Sequence, residues 1–297
     1  MDRDYVGYGD QPPVFDWPGG NRLAISLVVN YEEGSEYTLT DGGDRQETLG
    51  EWGVKEFPPG VRNLANESFF EYGSRVGVWR MLDLFDRHEV KVTFGVCAVA
   101  LERNPAAAKA IVAAGHEVTA HGYRWEEHFT MERAFERERI ALAIESIRAT
   151  TGVRPQGWYC RTAPSMNTRA LLVEEGGFVY DSDAYNDDVP YFVEVDGRQH
   201  VVVPYTGDVN DSHAWAGPGF ESDFVTYLKD SFDVMYEESR RWPRMMSVGL
   251  HLRMAGRPGR IKAVDEFIRY AKSRPGVWFA SRLEIAEAFK EAMAAEG

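Results

Sequence analysis

The sequence predicts an α/β fold in which parallel strands alternate with helices, closed as a barrel or spread as a doubly wound sheet. Three observations carry the prediction. Short apolar runs rich in β-branched residues recur along the chain, and amphipathic stretches of helical period separate them. The 297 residues, 44% of them hydrophobic, suffice for one large domain with a sizeable core. Strand, helix and strand in succession require a right-handed crossover between parallel strands.

The series opens at residues 23–30, LAISLVVN, apolar on both faces and therefore a buried strand. Residues 74–88 read as a helix, because Val78, Met81, Leu82 and Phe85 fall at helical spacing. A second strand follows at 92–96. Pro105 then opens a helix that ends at Ala114-Gly115, the expected start and stop residues. A short strand is expected at 117–120, and a long charged helix at 131–150, closed by Gly152 and Pro155. Beyond it, strands are expected near 157–159, 179–180, 201–204, 246–250 and 277–279. Helices at 168–175, 222–240, 260–273 and 283–294 lie between and after them.

One stretch breaks this rhythm. Residues 36–66 are rich in Gly, Pro and charge and exceed what a connection needs, the mark of a lid, an oligomer contact or a disordered loop. No internal repeat is visible. We therefore expect a single domain over 1–297, with an amino-terminal arm over 1–21 and a long insertion over 36–66.

Charge narrows the function. With 47 acidic against 33 basic residues, the net charge is −14. Binding to a nucleic-acid backbone or an anionic membrane needs clustered Lys and Arg, so neither partner is expected. Cys97 and Cys160 have no metal or redox spacing and read as reduced thiols. The first residues lack a basic segment followed by an apolar one, and no apolar run approaches the ~20 residues of a membrane span. A cytoplasmic protein is expected.

In parallel α/β folds the working residues sit just past the carboxyl ends of strands. The first strand runs into Asn30-Tyr31-Glu32-Glu33-Gly34, where paired carboxylates offer a base and a charged neighbour. The third is followed by His121-Gly122-Tyr123-Arg124-Trp125 and then Glu126, Glu127 and His128. His116, in the turn before that strand, reads as structural. The fourth leads to Arg161-Thr162-Ala163-Pro164, an arginine suited to clamping a carboxylate. Asp181-Ser182-Asp183 follows the next strand, where an aspartate also serves as a plain cap. A polar run, Thr206 to Ser212 with Asp208 and Asp211, comes after the strand at 201–204, as a pocket wall or a surface loop. His251 ends a late apolar strand, and histidine is the usual proton donor near neutral pH. Singly, each of these is an ordinary feature.

In order and spacing, however, they resemble the NodB-type polysaccharide deacetylases from about Arg22 to Phe279. That resemblance implies a distorted barrel of about seven β/α units and five ordered motifs. Asn30-Tyr31-Glu32-Glu33-Gly34 stands for the first. His121 to Trp125 stands for the second, with Trp125 where a metal-ligating histidine is found in metal-dependent members. Arg161 before Pro164 stands for the third, Asp181 or Asp183 for the fourth, and Leu250-His251 for the fifth. The glutamate pair, His-Gly-Tyr-Arg-Trp, Gly157-Trp158-Tyr159, Glu175-Gly176-Gly177-Phe178 and Gly249-Leu250-His251 further resemble the cofactor-independent allantoinase branch, as do Gly7-Tyr8-Gly9 and Trp17-Pro18-Gly19.

The resemblance implies hydrolysis of a carbon–nitrogen bond. In the leading reading, a metal-free site opens a cyclic amide such as allantoin. Glu32 is the base, its ionisation set by Arg161; His251 is the acid, oriented by Asp181 or Asp183. Glu33, His121, Trp125, Trp158, Asp183, Asp208 and Asp211 are expected at the substrate. No cofactor is expected; a zinc ion, if bound, would draw on Glu33, His121 and His128, a weak set because Trp125 ligates nothing. The other readings are an N-acetyl-sugar deacetylase and an inactive ureide- or carbohydrate-binding protein. The resemblance also implies a homo-oligomer, dimer or tetramer.

Overall fold

The computed structural model describes residues 3–48, 57–214 and 220–296; the expected 36–66 insertion falls partly outside them, over 49–56. Among the described residues nine strands form one curled sheet: β1 (Leu23–Tyr31), β2 (Thr93–Val96), β3 (Glu117–Ala120), β4 (Gly157–Trp158), β5 (Tyr180–Asp181), β6 (Tyr191–Val195), β7 (Arg198–Val202), β8 (Arg244–His251) and β9 (Val277–Phe279). The order β6-β7-β5-β4-β3-β2-β1-β8 is parallel except for the antiparallel β6–β7 pair. This is the distorted barrel expected of the family.

β1 is its hub. All nine of its residues are buried. One edge pairs with β8 from Leu23 to Asn30, while the other takes β9 at its start and β2 at its end. The free side of β8 meets Asn210 through an isolated bridge beside Gly249, which draws the segment after β7 towards the curl.

The expected strands appear within a residue or three of their predicted ends, and the β6–β7 hairpin is additional. Asp196 and Gly197, both at positive φ, make its tight turn, as two-residue hairpin loops require. The helix expected at 74–88 begins earlier: an α-helix over Leu64–Tyr72 passes through a π-turn at Gly73–Gly77 into Val78–His88. Short helices at Asp211–Ala214 and Leu252–Ala255, absent from the periodicity, follow β7 and β8.

Inside the curl, tyrosines fill space that small residues leave. A Cβ on Gly95 of β2 would overlap the Tyr159 phenol, so only glycine lets that ring cross the barrel. Tyr159 in turn packs against Tyr205 with ring centroids 5.3 Å apart. Lower down, Arg282 is fully buried, donating to Ser182, Ser247 and the carbonyls of Val203 and Pro204. Its backbone N–H donates to Thr93 Oγ1 at 2.8 Å.

Candidate active site

The carboxyl ends of β1, β3 and β8 converge on one carboxylate. Glu32, one residue past β1, is 2% exposed. Its Oε1 lies 3.4 Å from His121 Nε2 and 3.5 Å from His251 Nε2, and its Oε2 accepts from Arg253 Nη1 at 2.7 Å. Burial alone would push the Glu32 carboxyl up. The Arg253 guanidinium, then His251 and the hydrogen bonds from both histidines, outweigh burial and hold it well below the usual range.

Each histidine is oriented from behind. His121 Nδ1 lies 3.0 Å from the Tyr159 carbonyl, which only accepts, so Nδ1 carries a proton. Its ring stacks on Tyr159 at 3.9 Å. His251 Nδ1 lies 2.6 Å from Asp211 Oδ1, and Asp211 Oδ2 accepts from the His251 backbone N–H at 2.8 Å. Burial disfavours the imidazolium, but Asp211 and Glu32 reverse that and raise the ring to about 10. A protonated imidazole thus faces an ionised carboxylate, the pairing required of an acid beside a base.

Glu33 points the other way. Its Oε1 accepts from the Arg253 backbone N–H at 3.0 Å, and Oε2 from the Glu32 N–H at 3.1 Å. Burial raises it to about 7, with Arg253 opposing and Glu32 reinforcing the rise. Gly73 in the π-turn makes room for this carboxylate, since a Cβ there would overlap Glu33 Oε1. π-turns inside helices are often found at functional sites for this reason, that they reshape one turn without ending the helix.

Several sequence expectations need correction. Asp211, rather than Asp181 or Asp183, orients His251. Asp181 is bound by Arg169 at 2.6 and 2.9 Å and by His200 at 3.0 Å, and Asp183 Oδ1 accepts from the Cys160 N–H at 2.7 Å. Two aspartates one residue apart at a strand end carry no mark in the sequence that distinguishes them. Arg161 does not reach Glu32; Glu47 from the long loop holds its guanidinium at 2.8 and 3.0 Å, and the Trp125 ring lies 3.7 Å from it. Arg253 performs the electrostatic task instead. Trp158 is wholly buried, edge-on to Phe178, because the neighbouring Gly157 takes the inward position and turns the indole towards the helices. It cannot touch a substrate. Asp208 accepts from Thr206 and from Tyr227, away from the carboxylate pair.

The residues considered for a metal do not fit one. Glu33 is engaged by Arg253 and His128 is buried edge-on against Trp158, so His121 Nε2, which the Tyr159 carbonyl leaves free, has neither of the other two ligands beside it. Among the described residues no three His, Cys, Asp or Glu side chains come together as a metal set. Burial lowers His128 to about 4, so its ring is neutral and apolar in effect. His116 is structural as expected, packed between Phe85 and Phe94.

Arg253 and Glu47 escaped the sequence reading. Arg253 lies two residues past His251, and position just after a strand end was the signal available. Glu47 carried none.

A cleft of about 1750 Å³ lies between the arm residues 3–12, the hairpin and the last helix. It includes Asp183 but neither Glu32 nor His251. The converging charges at the strand ends mark the chemistry better than volume does.

Residues 67–177 match the family described as polysaccharide deacetylase. A Schizosaccharomyces pombe protein named "Putative polysaccharide deacetylase" is 40% identical across 97% of this chain and 96% of its own. This chain belongs to the polysaccharide deacetylase family. Two solved structures are similar to this deacetylase-family chain at a TM-score of 0.92 and 45% identity, each over 98% of both chains. One is described as a probable polysaccharide deacetylase from Pseudomonas aeruginosa, the other as Puue allantoinase. Membership makes the chain a hydrolase of that superfamily. No helix among its described residues is long and apolar enough to cross a membrane.

Proposed function

We propose that this deacetylase-family hydrolase opens a cyclic amide of the ureide class, with allantoin as the candidate substrate, and does so without a metal. The observation that carries the reading is the Glu32–His251 pair, an ionised carboxylate 3.5 Å from an imidazolium held by Asp211. The 45% identity to a structure named as an allantoinase supports the substrate class.

Glu32 takes a proton from water as the oxygen attacks the ring carbonyl. The C–N bond breaks, and His251 gives its proton to the departing nitrogen. One water is consumed, and a carboxylic acid and a ureido N–H result, the acid releasing its proton to solvent to become the carboxylate. A ureido nitrogen spreads its charge into the adjoining carbonyl and leaves more readily than an alkyl amine, so acid–base catalysis without a Lewis acid suffices. Substrate entering between Glu32 and His251 separates the two charges and makes Glu32 more basic. Afterwards the proton on Glu32 returns to His251 across the same short gap. Backbone N–H groups at the strand ends receive the oxyanion, and His121, held by Tyr159, lines the site beside Glu32.

The test is turnover of allantoin by chelator-treated protein, with N-acetylated sugar oligomers alongside. We expect chelator-insensitive turnover, lowered on the order of 10²- to 10⁴-fold in Glu32→Gln and His251→Ala. Acetate release from sugars, dependent on added metal and without allantoin turnover, would overturn the reading in favour of a deacetylase. Binding of allantoin without turnover would leave a ureide-binding protein. A homo-oligomer in the cytoplasm is part of the same proposal, and light scattering on the purified chain reads its stoichiometry.

A further inference from the structure

Two adjacent buried glutamates require a positive charge, and this site has one of its own. Arg253 is 3% exposed. Its Nη1 lies 2.7 Å from Glu32 Oε2 and 3.6 Å from Glu33 Oε1, and its backbone N–H donates to the same Glu33 oxygen at 3.0 Å. The guanidinium sits 4.4 Å over the Phe70 ring and 5.5 Å from that of Trp125, so an aromatic wall backs it. Trp125 stands where metal-dependent relatives of the resemblance carry a histidine, and here it lines a pocket for a cation that is covalently part of the chain.

The backbone is shaped to deliver this group. Arg253 follows His251 in the short helix Leu252–Ala255, which packs directly on the π-turn. Gly73 and Gly77 are both points of close approach: a Cβ at Gly73 would lie 2.8 Å from the Arg253 backbone nitrogen, and one at Gly77 would overlap the Leu252 carbonyl. The turn therefore brings His251 and Arg253 onto opposite oxygens of Glu32.

We infer that Arg253 is the resident cation of the site: its guanidinium lies between the Glu32 and Glu33 carboxylates against the Phe70 and Trp125 rings, and so takes the place that a metal ion would have to enter. It acts through Glu32 and is a positioning residue. The other groups facing Glu32 are Glu33 from its own segment, His121 beyond β3, His251 at the end of β8, Cys97 beyond β2 and Tyr159 beyond β4. Of these, His251 shares the cationic task and His121 adds a hydrogen bond. A guanidinium is fixed in charge at every working pH, unlike a metal-bound water.

The electrostatic part stands apart from the choice of substrate, and its test needs no turnover. Carboxyl-¹³C glutamate is incorporated into the full-length chain, and the Glu32 resonance is assigned by its loss in Glu32→Gln. Titration of wild type, Arg253→Ala and Arg253→Lys is then followed by NMR, with folding checked by circular dichroism. We expect the Glu32 midpoint to rise by about one to two pH units in the alanine variant. In the lysine variant, which keeps the charge, it stays within about half a unit of wild type. Stoichiometric zinc should leave the Glu32 and Glu33 signals of wild type unmoved. An unshifted midpoint in folded Arg253→Ala, or zinc moving both signals in wild type, overturns the inference. Should the alanine variant fail to fold, Arg253→Gln, which retains a donor and loses the charge, gives the same readout. If the titration behaves as expected while allantoin is not turned over, the proposed reaction fails and the resident cation stands.

Discussion

His251 shows how two neighbours set one side chain's working range. Its ring is raised to about 10 against an ordinary 6.5 because Asp211 and Glu32 favour the cation more than burial opposes it. The acid is therefore loaded below about 10 and lost above it, so kcat/KM should fall as pH rises through that value. Asp211→Asn removes the leading favourable partner, and the alkaline limb should move towards neutrality in a pH profile; an unmoved limb would show that Asp211 only fills space. The same linkage gives stability that is complete below 6.5 and disappears as pH passes the raised value. Glu32, Glu33, His121 and His251 were legible from sequence because each ends a strand with a titratable group. The partner of His251 was not, since Asp181, Asp183, Asp208 and Asp211 all follow strands and only three-dimensional proximity distinguishes them. Arg161 was misassigned for a related reason: its own partner, Glu47, lies 114 positions away in chain order.

At the scale of elements, the described part of the long loop is anchored by a buried pair, Glu47 with Arg161, beside more exposed ties such as Asp41 to Arg124. Glu47 and Arg161 side chains are 3% and 4% exposed, so neither has water to replace the other. Glu47→Ala should cost about 3–5 kcal/mol, as breaking a buried pair leaves an uncompensated charge. Urea denaturation measures this, and a loss below about 1 kcal/mol would mean that Arg161 finds another partner, Glu127 at 3.7 Å being the nearest. Most strands and helices were legible because their periods are strong. The β6–β7 hairpin was missed although Asp196-Gly197 between two β-rich runs is a recognised turn signal; a single strand at 201–204 absorbed half of it. The π-turn and the helix Leu252–Ala255 are shorter than any periodic window and are set by packing against one another.

For the whole molecule, Arg282 links strands that are distant in sequence. It reaches Ser182 after β5, Val203 and Pro204 after β7, and Ser247 in β8, all from the first residue of the last helix. Burial lowers its pKa, and nearby Tyr180, Tyr205 and Glu117 counter that. Arg282→Met should destabilise by at least about 3 kcal/mol, because several buried acceptors lose their donor at once. A thermal shift within error of wild type would mean that water takes its place. The barrel itself was legible as alternating strand and helix, whereas this polar interior was not, because an arginine at a helix start normally reads as a surface cation.

The sharing of β1 among β2, β8 and β9 also dictates an order of events during synthesis. β1 leaves the ribosome ahead of the other eight strands, apolar on both faces, and of its partners only β2 is made soon after it. The partners of its other edge, and of its first residues, are the last strands to appear. Until then a long hydrophobic strand stays half-paired, the kind of edge that recruits other chains. Folding of this protein in the cell should therefore depend on chaperone protection from the synthesis of β1 until β8 and β9 appear, and shortening that interval by circular permutation, with β8 and β9 placed ahead of β1, should raise the soluble yield.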